Sequence, residues 1–490
     1  MDAGRRRGAL FATGTIVASI ALVLGSAVLA GVLPTPISED PYTNPASQHR
    51  TQVEPDSFGH GNTVVSAFQT GRFFDGGGSN VGWATTTNAG RTWTTGMLPG
   101  TTVHQGGPWS RVSDPSVAYD PEHNVWMIST LAFGMGASIT GSPSAILTSR
   151  STDGGLTWQS PVTVSFGGSS AYDKNWIACD TWPDSPYYGN CYTEWDDNGL
   201  GNRILMSTST DGGLTWGPAI SPGGLPSGLG GQPVVQPDGV VQVPYSANFG
   251  EIRAFRSTTG GATWTSATAV AGHQTHTVAG GLRAPPLPSA EVDGSGRVYL
   301  VWHDCRFRPS CSANDIVMTT TTDGIVWTQV TRIPVDPVNS GVDHFIPGIG
   351  VDRASFGPSA RLALAYYYYP VSGCTVSTCD LTAGFISSLD GGATWSQPTP
   401  MSGPMKLSWI ANTSQGRMVG DYISTSFAGN VALPAFVIAK PPTGGVFSER
   451  AAAARFDVTT QLGRKIRTRR DRVRSRPHSR PRDEDLPTAN

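Results

Sequence analysis

The sequence predicts an all-β protein built from repeated units, and three observations support this prediction. Gly (60) and Pro (37) together make up about a fifth of the 490 residues, while charged residues account for only 14%. This composition is typical of short strands joined by tight turns. The stretch STDGGLTW occurs at residues 151–158 and again at 209–216. Runs of alternating polarity such as AILTSRS and NRILMSTS precede these copies, as expected for half-buried strands.

The octapeptide belongs to a longer repeat. The stretches TTNAGRTW, STTGGATW, TTDGIVW and SLDGGATW follow the same pattern, although TTDGIVW is one residue short. The six copies end at Trp93, Trp158, Trp216, Trp264, Trp327 and Trp395, with spacings of 48 to 68 residues. Four copies carry an acid, at Asp153, Asp211, Asp323 and Asp390, whereas Asn88 and Thr259 replace it in the other two. A repeat of this period indicates a radial or stacked architecture.

Each position of the repeat fits a tight turn between two strands. The hydroxyl of Ser151 and the carboxylate of Asp153 can accept hydrogen bonds from backbone amides of the turn. Gly155 supplies the positive φ that such a turn needs, and Trp158 can pack beneath it. We therefore expect each copy to be a β-hairpin turn with a structural role.

Each unit contains further strand candidates ahead of its turn, such as PSAEVD and RVYLVWHD in the fifth unit. Four antiparallel strands in each unit describe the blades of a β-propeller, which leaves few exposed sheet edges. Strand patterns after the sixth copy, at residues 421–439, predict one more blade, and residues 34–50 would supply a linker or closing strand. We expect a propeller of seven blades over residues 51–445, with six blades as the alternative.

The octapeptide resembles the Asp-box, or BNR, repeat of sialidase-like propellers over roughly residues 50–445. The resemblance places the motif at the periphery of each blade and implies an exo-α-sialidase type of glycoside hydrolase. In that family three arginines hold the substrate carboxylate, a tyrosine assisted by a glutamate acts as nucleophile, and an aspartate serves as acid/base. The matching candidates are Arg283, Arg306 and Arg417 for binding, Tyr422 as nucleophile, Glu194 as its helper, and Asp114 or Asp173 as proton donor.

One departure from the family leaves other functions open. The first arginine of the family lies in an R-I-P triplet ahead of the first repeat, and this sequence has none there. Its RIP triplet, at residues 332–334, follows the fifth repeat. The alternatives are a non-catalytic propeller that binds glycans or proteins at the cell surface, and an Asp-box glucanase that uses two aspartates.

Charged residues stand just ahead of the strands expected to line the channel. Among them are Glu54, Asp56, Asp114, Asp173, Lys174, Asp343, His344 and Asp421. We expect a ring of such groups at one mouth of the channel, with Lys174, Asp343, His344 and Asp421 contributing to substrate binding. Crowded carboxyl groups would have raised pKa values, which suits acid–base chemistry. The alternative is that these acids cap loops by accepting hydrogen bonds from backbone amides.

Six cysteines form three close pairs and show no metal-binding spacing. The pairs are Cys179/Cys191, Cys305/Cys311 and Cys374/Cys379, and we expect three local disulfides, which persist in exported proteins. Residues 1–33 combine three arginines with a long apolar run, as in a signal peptide or a membrane anchor. The propeller is therefore expected outside the cytoplasm, secreted or anchored to the membrane.

Residues 446–490 are expected to be a mostly disordered basic tail. Nine Arg and one Lys face a single acid within residues 464–482, which leaves the body of the chain net acidic and gives no support to a nucleic-acid partner. The expected partners are a glycan or glycoconjugate and, if the N-terminal segment is retained, the cell envelope. The protein is expected to be a monomer. No cofactor or catalytic metal is expected, although DDNG at residues 196–199 and ANDI at 313–316 are candidates for structural calcium.

Overall fold

The computed structural model describes Met1 and residues 33–135 and 143–459. Residues 2–32, which hold most of the predicted signal peptide or anchor, and the arginine-rich residues 464–482 lie outside the described part. The strands and sites described below all belong to the unit Val32–Asn490. Among the described residues, no helix has the length and apolar character to span a membrane.

The described chain consists of strands, turns and short 3-10 helices, so the all-β prediction is confirmed. After β1 (Thr35–Pro36), the strands pair antiparallel in consecutive groups. The first group is β2 (Ser47–His60), β3 (Thr63–Phe73), β4 (Gly78–Thr86) and β5 (Thr94–Met97). The second is β6 (Trp109–Asp120), β7 (Val125–Met135), β8 (Ser144–Ser151) and β9 (Val162–Gly168), and the third is β10 (Tyr172–Cys179), β11 (Cys191–Asp197) and β12 (Arg203–Ser209).

The next two groups each contain four strands. One is β13 (Val234–Val235), β14 (Val241–Ala247), β15 (Glu251–Ser257) and β16 (Thr268–Gly272). The other is β17 (Ser289–Val292), β18 (Val298–Asp304), β19 (Asp315–Thr321) and β20 (Thr331–Arg332). The following group is β21 (Asp343–Val351), β22 (Leu362–Tyr369), β23 (Asp380–Ser388) and β24 (Thr399–Pro400), with β25 (Met405–Lys406) also on β23.

The last group joins the two ends of the described chain. A small hairpin, β26 (Asn412–Thr413) and β27 (Gly416–Arg417), precedes β28 (Ser424–Ala428), β29 (Val431–Thr443), β30 (Val446–Ala453) and β31 (Phe456–Asp457). β1 pairs antiparallel with β30, with Thr35 opposite Ala453. Residues 34–50 thus supply a strand to this group, and β30 and β31 extend the folded part beyond residue 445, the predicted end of the propeller.

The first strands of the groups lie next to one another in chain order. β2 contacts β6, β6 contacts β10, and the series continues through β13, β17, β21 and β28. β28 in turn contacts β2. Single bridges, Thr51–Glu449 and Gly78–Val112, join three groups into one larger sheet. The first strands therefore form the central part of the fold.

The repeated octapeptides form the expected turns. In the second copy the backbone N–H groups of Leu156 and Thr157 donate to Asp153 Oδ1 at 3.1 and 2.9 Å, and that of Gly155 donates to Ser151 Oγ at 3.0 Å. The copies without an acid keep the same turn, since Asn88 Oδ1 accepts from Thr92 N at 3.0 Å and Thr259 Oγ1 from Thr263 N at 2.9 Å. Each copy thus forms a tight turn whose backbone N–H groups are bonded by side chains of the repeat itself.

Each turn also packs against the preceding group. A Cβ atom at Gly155 would lie 2.6 Å from Val65 on β3, and one at Gly213 would lie 2.6 Å from Met127 on β7. Gly90, in the first copy, faces Leu433 of the last group in the same way. Only glycine allows so close an approach, so the octapeptides bind neighbouring groups together.

The three predicted disulfides are confirmed. Cys179–Cys191 joins β10 to β11, Cys305–Cys311 closes the loop after β18, and Cys374–Cys379 lies in the β22–β23 loop. Disulfides of this kind are typical of proteins outside the cytoplasm. Among the described residues no cysteine is left free.

Candidate functional site

Three successive first strands carry a β-bulge at the same place. Glu54, Asp114 and Lys174 have left-handed φ angles of 54°, 46° and 46°. The pairing register shifts at each of them, between Val53 and Asp56 in the first case. A bulge redirects a side chain relative to a regular strand, and a left-handed non-glycine residue costs about 1–3 kcal/mol. The same distortion therefore aims three charged side chains at one region.

These side chains meet in a compact group of charges, named here the charged cluster: Glu54, Asp114, Lys174, Arg283 and Asp421. Lys174 Nζ lies 3.0 Å from Asp114 Oδ1 and 3.4 Å from Glu54 Oε1, and it also pairs with Asp421 Oδ2. The Lys174 side chain is only 8% exposed, and the three carboxylates are 1–4% exposed. The cluster thus buries several charges that can only be stable together.

Arg283 completes the cluster from the segment between β16 and β17. Its Nε donates to Asp421 Oδ1 at 2.6 Å and its Nη2 to Asp421 Oδ2. Its backbone N–H donates to the Arg417 carbonyl at 2.7 Å, which fixes its position. With a side chain that is 20% exposed, Arg283 is the member of the cluster most open to solvent.

The cluster shifts the titration of its members. Burial alone would lower the pKa of Lys174, but the carboxylates of Asp114, Asp421 and Glu54 outweigh it and hold that pKa well above its usual range. Burial raises the pKa of Asp421, yet Lys174 and Arg283 bring it below the ordinary value. Burial raises the pKa of Glu54 to about 7. The two cations thus face Asp421, which is firmly ionised, and Glu54, a carboxyl group that titrates near neutrality.

Two further aspartates lie beside the cluster. Asp173 and Asp196 are direct cross-strand partners on β10 and β11. Burial raises the pKa of both; Asp114 adds to the effect on Asp173, and Asp173 to the effect on Asp196. Asp196 is fully buried, and neither of its carboxylate oxygens has a hydrogen-bond partner among the described residues. A carboxyl group in this position is held in its neutral form.

Glu194 does not assist Tyr422 in the structure. It lies on β11 with its carboxyl group packed against Gly231, and its pKa is raised well above the usual range by burial and by Asp196. The Tyr422 hydroxyl donates to the Pro115 carbonyl at 3.0 Å. Burial, with Glu54 and Asp114 nearby, raises the pKa of Tyr422 well above its usual value. The phenol is therefore a hydrogen-bond donor that resists ionisation.

A second aromatic residue beside the cluster, next to Tyr422, is Trp176. Its ring packs edge-on against Tyr422, with centroids 5.0 Å apart, and it is partly exposed. Trp176, Lys174, Gln232 and Leu287 line a cavity of 20 Å³. This volume holds about one water molecule, so a sugar ring could bind only at the open side of these residues.

The side chains of the other two predicted arginines form their hydrogen bonds outside the cluster. Arg306 pairs with Asp304, with Nη2 2.6 Å from Oδ2. Arg417 Nη1 donates to the Ile410 carbonyl at 2.6 Å. The structure thus brings Arg283 to the cluster, whereas the side chains of the other two arginines are engaged with partners outside it.

The expected ring of acids is only partly formed. Asp56 accepts a hydrogen bond from Val117 N at 2.7 Å, and Asp343 accepts from Asn314 N at 2.8 Å. These two acids bond backbone amides, as the alternative interpretation holds. His344 packs against Tyr366 and Tyr368. Asp114, Lys174 and Asp421, in contrast, do converge.

The best-placed metal-binding group among the described residues is Asp315, Asp336 and His344. Arg308 already pairs with both carboxylates, at 2.6 Å from Asp315 and 2.8 Å from Asp336, and Arg332 does the same. The two guanidinium groups supply the positive charge that a cation would bring. Asp315 belongs to the calcium candidate ANDI at residues 313–316. In the other calcium candidate, DDNG at residues 196–199, Asp197 accepts a hydrogen bond from Gly199 N at 2.9 Å.

Trp176 is not among the predicted site residues, and Asp196 is expected only as part of a calcium candidate, although the sequence carries a signal for this region. Glu54 and Asp114 each precede a proline, as does Ile346, which has the same left-handed φ. Proline within a sheet is confined to edges and bulges. An X-Pro step within a strand would therefore have marked these three bulges. The bulge at Lys174, two residues before Trp176, lacks the proline and is indicated only by its spacing of 60 residues from Asp114, the same as that between Glu54 and Asp114.

Comparison with protein-family models and with curated proteins finds no match. Among solved structures, the Hadza microbial sialidase Hz136 is similar at 15% identity and a TM-score of 0.45, covering 84% of this chain and 67% of that one. A Dyadobacter fermentans protein of unknown function has 17% identity, a TM-score of 0.45, and coverage of 73% and 98%. Trypanosoma rangeli sialidase has 13% identity and a TM-score of 0.43, and the match covers 90% of this chain and 60% of that one. The likeness is one of fold, and it is distant.

Proposed function

We propose that the chain is an exported, seven-bladed β-propeller that binds glycans beside the charged cluster and does not hydrolyse sialosides. Seven antiparallel groups begin with β2, β6, β10, β13, β17, β21 and β28, and the contact between β28 and β2 supports a closed arrangement. The disulfides support a location outside the cytoplasm. Glycans are the principal polyhydroxylated ligands met there.

The observation that carries the binding proposal is the convergence of the charged cluster with Trp176. Arg283 and Asp173 are partly exposed and present donors and acceptors that suit sugar hydroxyl groups. The partly exposed Trp176 ring supplies an apolar face beside them. Sites for small polar ligands combine an aromatic surface with a few fixed polar groups in this way.

Two features speak against tyrosine-based sialidase chemistry. Tyr422 is buried and its hydroxyl is committed to the Pro115 carbonyl. Of the candidate arginines, Arg283 bonds Asp421 while Arg306 bonds Asp304. A substrate carboxylate needs free guanidinium groups aimed at one point, which this arrangement does not offer.

Hydrolysis by two aspartates is the second candidate. Asp173 and Asp196 face each other across β10 and β11, and facing side chains have Cβ atoms about 4.5–5.5 Å apart. Retaining glycosidases separate their carboxyl groups by about 5 Å. The raised pKa of Asp173 suits a proton donor. Asp196, in contrast, is held neutral by burial and would have to ionise on substrate binding to act as the nucleophile.

The test is a glycan array probed with the full chain, beside a panel of fluorogenic glycosides that includes a sialoside. We expect array binding without turnover. Trp176→Ala should weaken binding about tenfold or more, while Trp409→Ala, a partly buried tryptophan outside the site, should not. A silent array would overturn the binding proposal. Turnover abolished by Asp173→Asn would establish the second candidate instead.

A further inference from the structure

A second cavity lies at the other end of the first strands. It has a volume of 490 Å³ and is lined by residues that follow the bulges in sequence, including Phe58, Trp182, Arg353 and Phe427. Phe58 is four residues beyond Glu54 on β2, which is about 13 Å along a strand. His60 and Gly61 at its rim are exposed, so the cavity opens to solvent. Its volume falls in the range of small-molecule sites.

Aromatic rings and one guanidinium group shape the wall of this cavity. The Arg353 guanidinium carbon lies 4.9 Å from the centre of the Phe58 ring and 5.9 Å from that of Trp182. Trp182 is held by a hydrogen bond from Nε1 to the Val235 carbonyl at 2.7 Å. Arg353 is held by a bond from Nη1 to Thr181 Oγ1 at 2.7 Å. The wall is therefore preorganised, with apolar faces beside directed donors.

The charges in the cavity compensate one another. Arg353 Nη2 lies 3.6 Å from Glu291 Oε2, and Asp352 pairs with Arg361. Although His60 lies at the exposed rim, its ring is partly desolvated, and this together with Arg353 nearby lowers the pKa of His60 and leaves the imidazole neutral at pH 7. A singly charged ligand would add a net charge to this balanced set of groups. A neutral polyhydroxylated ligand can instead use Glu291 as acceptor and Arg353 as donor without disturbing them.

We propose that this second cavity binds a neutral sugar ring, separately from the site beside the charged cluster. The ring would pack against Phe58 and Trp182 with its hydroxyl groups bonded to Glu291 and Arg353. Two such sites at opposite ends of the first strands would let one molecule hold two glycan chains, or two points on one chain. This site stands independently of the proposed function.

The test is saturation-transfer NMR of the full chain with glucose, galactose, mannose, cellobiose and maltose as probes. Sialic acid and glucosamine serve as charged comparisons. We expect at least one neutral sugar to bind, and Ala354→Trp to abolish its signal. Ala354 is exposed at the rim, so this change fills the cavity entrance without altering the core. Ala269→Trp, on the exposed edge strand β16, is the matched control and should keep the signal.

Glu291→Gln should weaken the same sugar about threefold to tenfold, while Trp176→Ala should leave its signal unchanged. A signal lost in Trp176→Ala but kept in Ala354→Trp would assign the binding to the charged-cluster site and overturn the second site. Absence of binding by every neutral sugar, or binding of the charged sugars alone, would also overturn it.

Discussion

The guanidinium group of Arg283 holds both carboxylate oxygens of Asp421, with Nε 2.6 Å from Oδ1 and Nη2 bonded to Oδ2. The same carboxylate also pairs with Lys174 from a different strand group. Asp421 is thus saturated by two cations and is 1% exposed. A carboxylate in this state holds strand groups in position, and it is poorly suited to proton transfer.

Removal of the central cation should destabilise the fold. Lys174→Met keeps the length of the side chain but leaves Glu54 and Asp114 buried without their cation, and breaking a buried pair in this way costs about 3–5 kcal/mol. Denaturant unfolding measures the loss. The double variant Lys174→Met/Asp114→Asn should recover part of it, because one stranded charge is gone. Wild-type stability for Lys174→Met alone would contradict the role given to the cluster.

The acid of the octapeptide should stabilise its own turn. Asp153→Ala removes acceptors for two backbone N–H groups and the Thr157 hydroxyl, and we expect a loss of about 1–2 kcal/mol, as for a lost helix cap. The reciprocal change is Thr259→Asp in the copy that lacks the acid, which should gain about 0.5–1 kcal/mol. Thermal unfolding of both variants measures these changes. A loss of stability in Thr259→Asp as well as in Asp153→Ala would contradict this explanation.

The variant Tyr422→Phe tests whether the phenol of Tyr422 has a structural role or acts as a nucleophile. The change leaves the Pro115 carbonyl without its donor, which should cost about 1–2 kcal/mol of stability. We expect glycan binding to remain within about twofold of the wild-type affinity. If the wild-type chain hydrolyses a sialoside and this variant does not, the phenol is the nucleophile and the non-catalytic proposal fails.

Glu449 should make stability depend on pH. It is fully buried on β30, Oε2 accepts from Ala411 N at 3.1 Å, and burial raises its pKa from 4.5 to about 8. Between pH 4.5 and 8 the unfolded chain loses this proton while the folded chain keeps it, so stability falls as pH rises. Glu449→Gln should reduce the slope by up to about 1.4 kcal/mol per pH unit.

The measurement is the unfolding free energy at several pH values between 5 and 8. Glu39→Gln, at an exposed position, is the matched control and should leave the slope unchanged. An equal slope in wild type and Glu449→Gln would show that the Glu449 carboxyl group ionises normally in the folded state.

The repeat allowed the strands and turns to be predicted, because each octapeptide contains its own acceptors, glycine and tryptophan within eight residues. Convergence at the site depends on contacts between groups 60 or more residues apart, and hydrophobic periodicity carries no such information. Arg283 and Arg306 looked equivalent in sequence. Asp304, two residues before Arg306, takes that guanidinium locally, whereas Arg283 reaches Asp421 across 138 residues.

The pairing of Thr35–Pro36 with Ala452–Ala453 has a consequence for biogenesis. A chain made from its N-terminus presents β1 first, yet the partner of β1 appears only some four hundred residues later. Contacts of such long sequence separation form slowly. During synthesis β1 therefore stays unpaired until β30 has been made. A product that ends before residue 446 would lack β30, and the unpaired edge of β1 would promote aggregation.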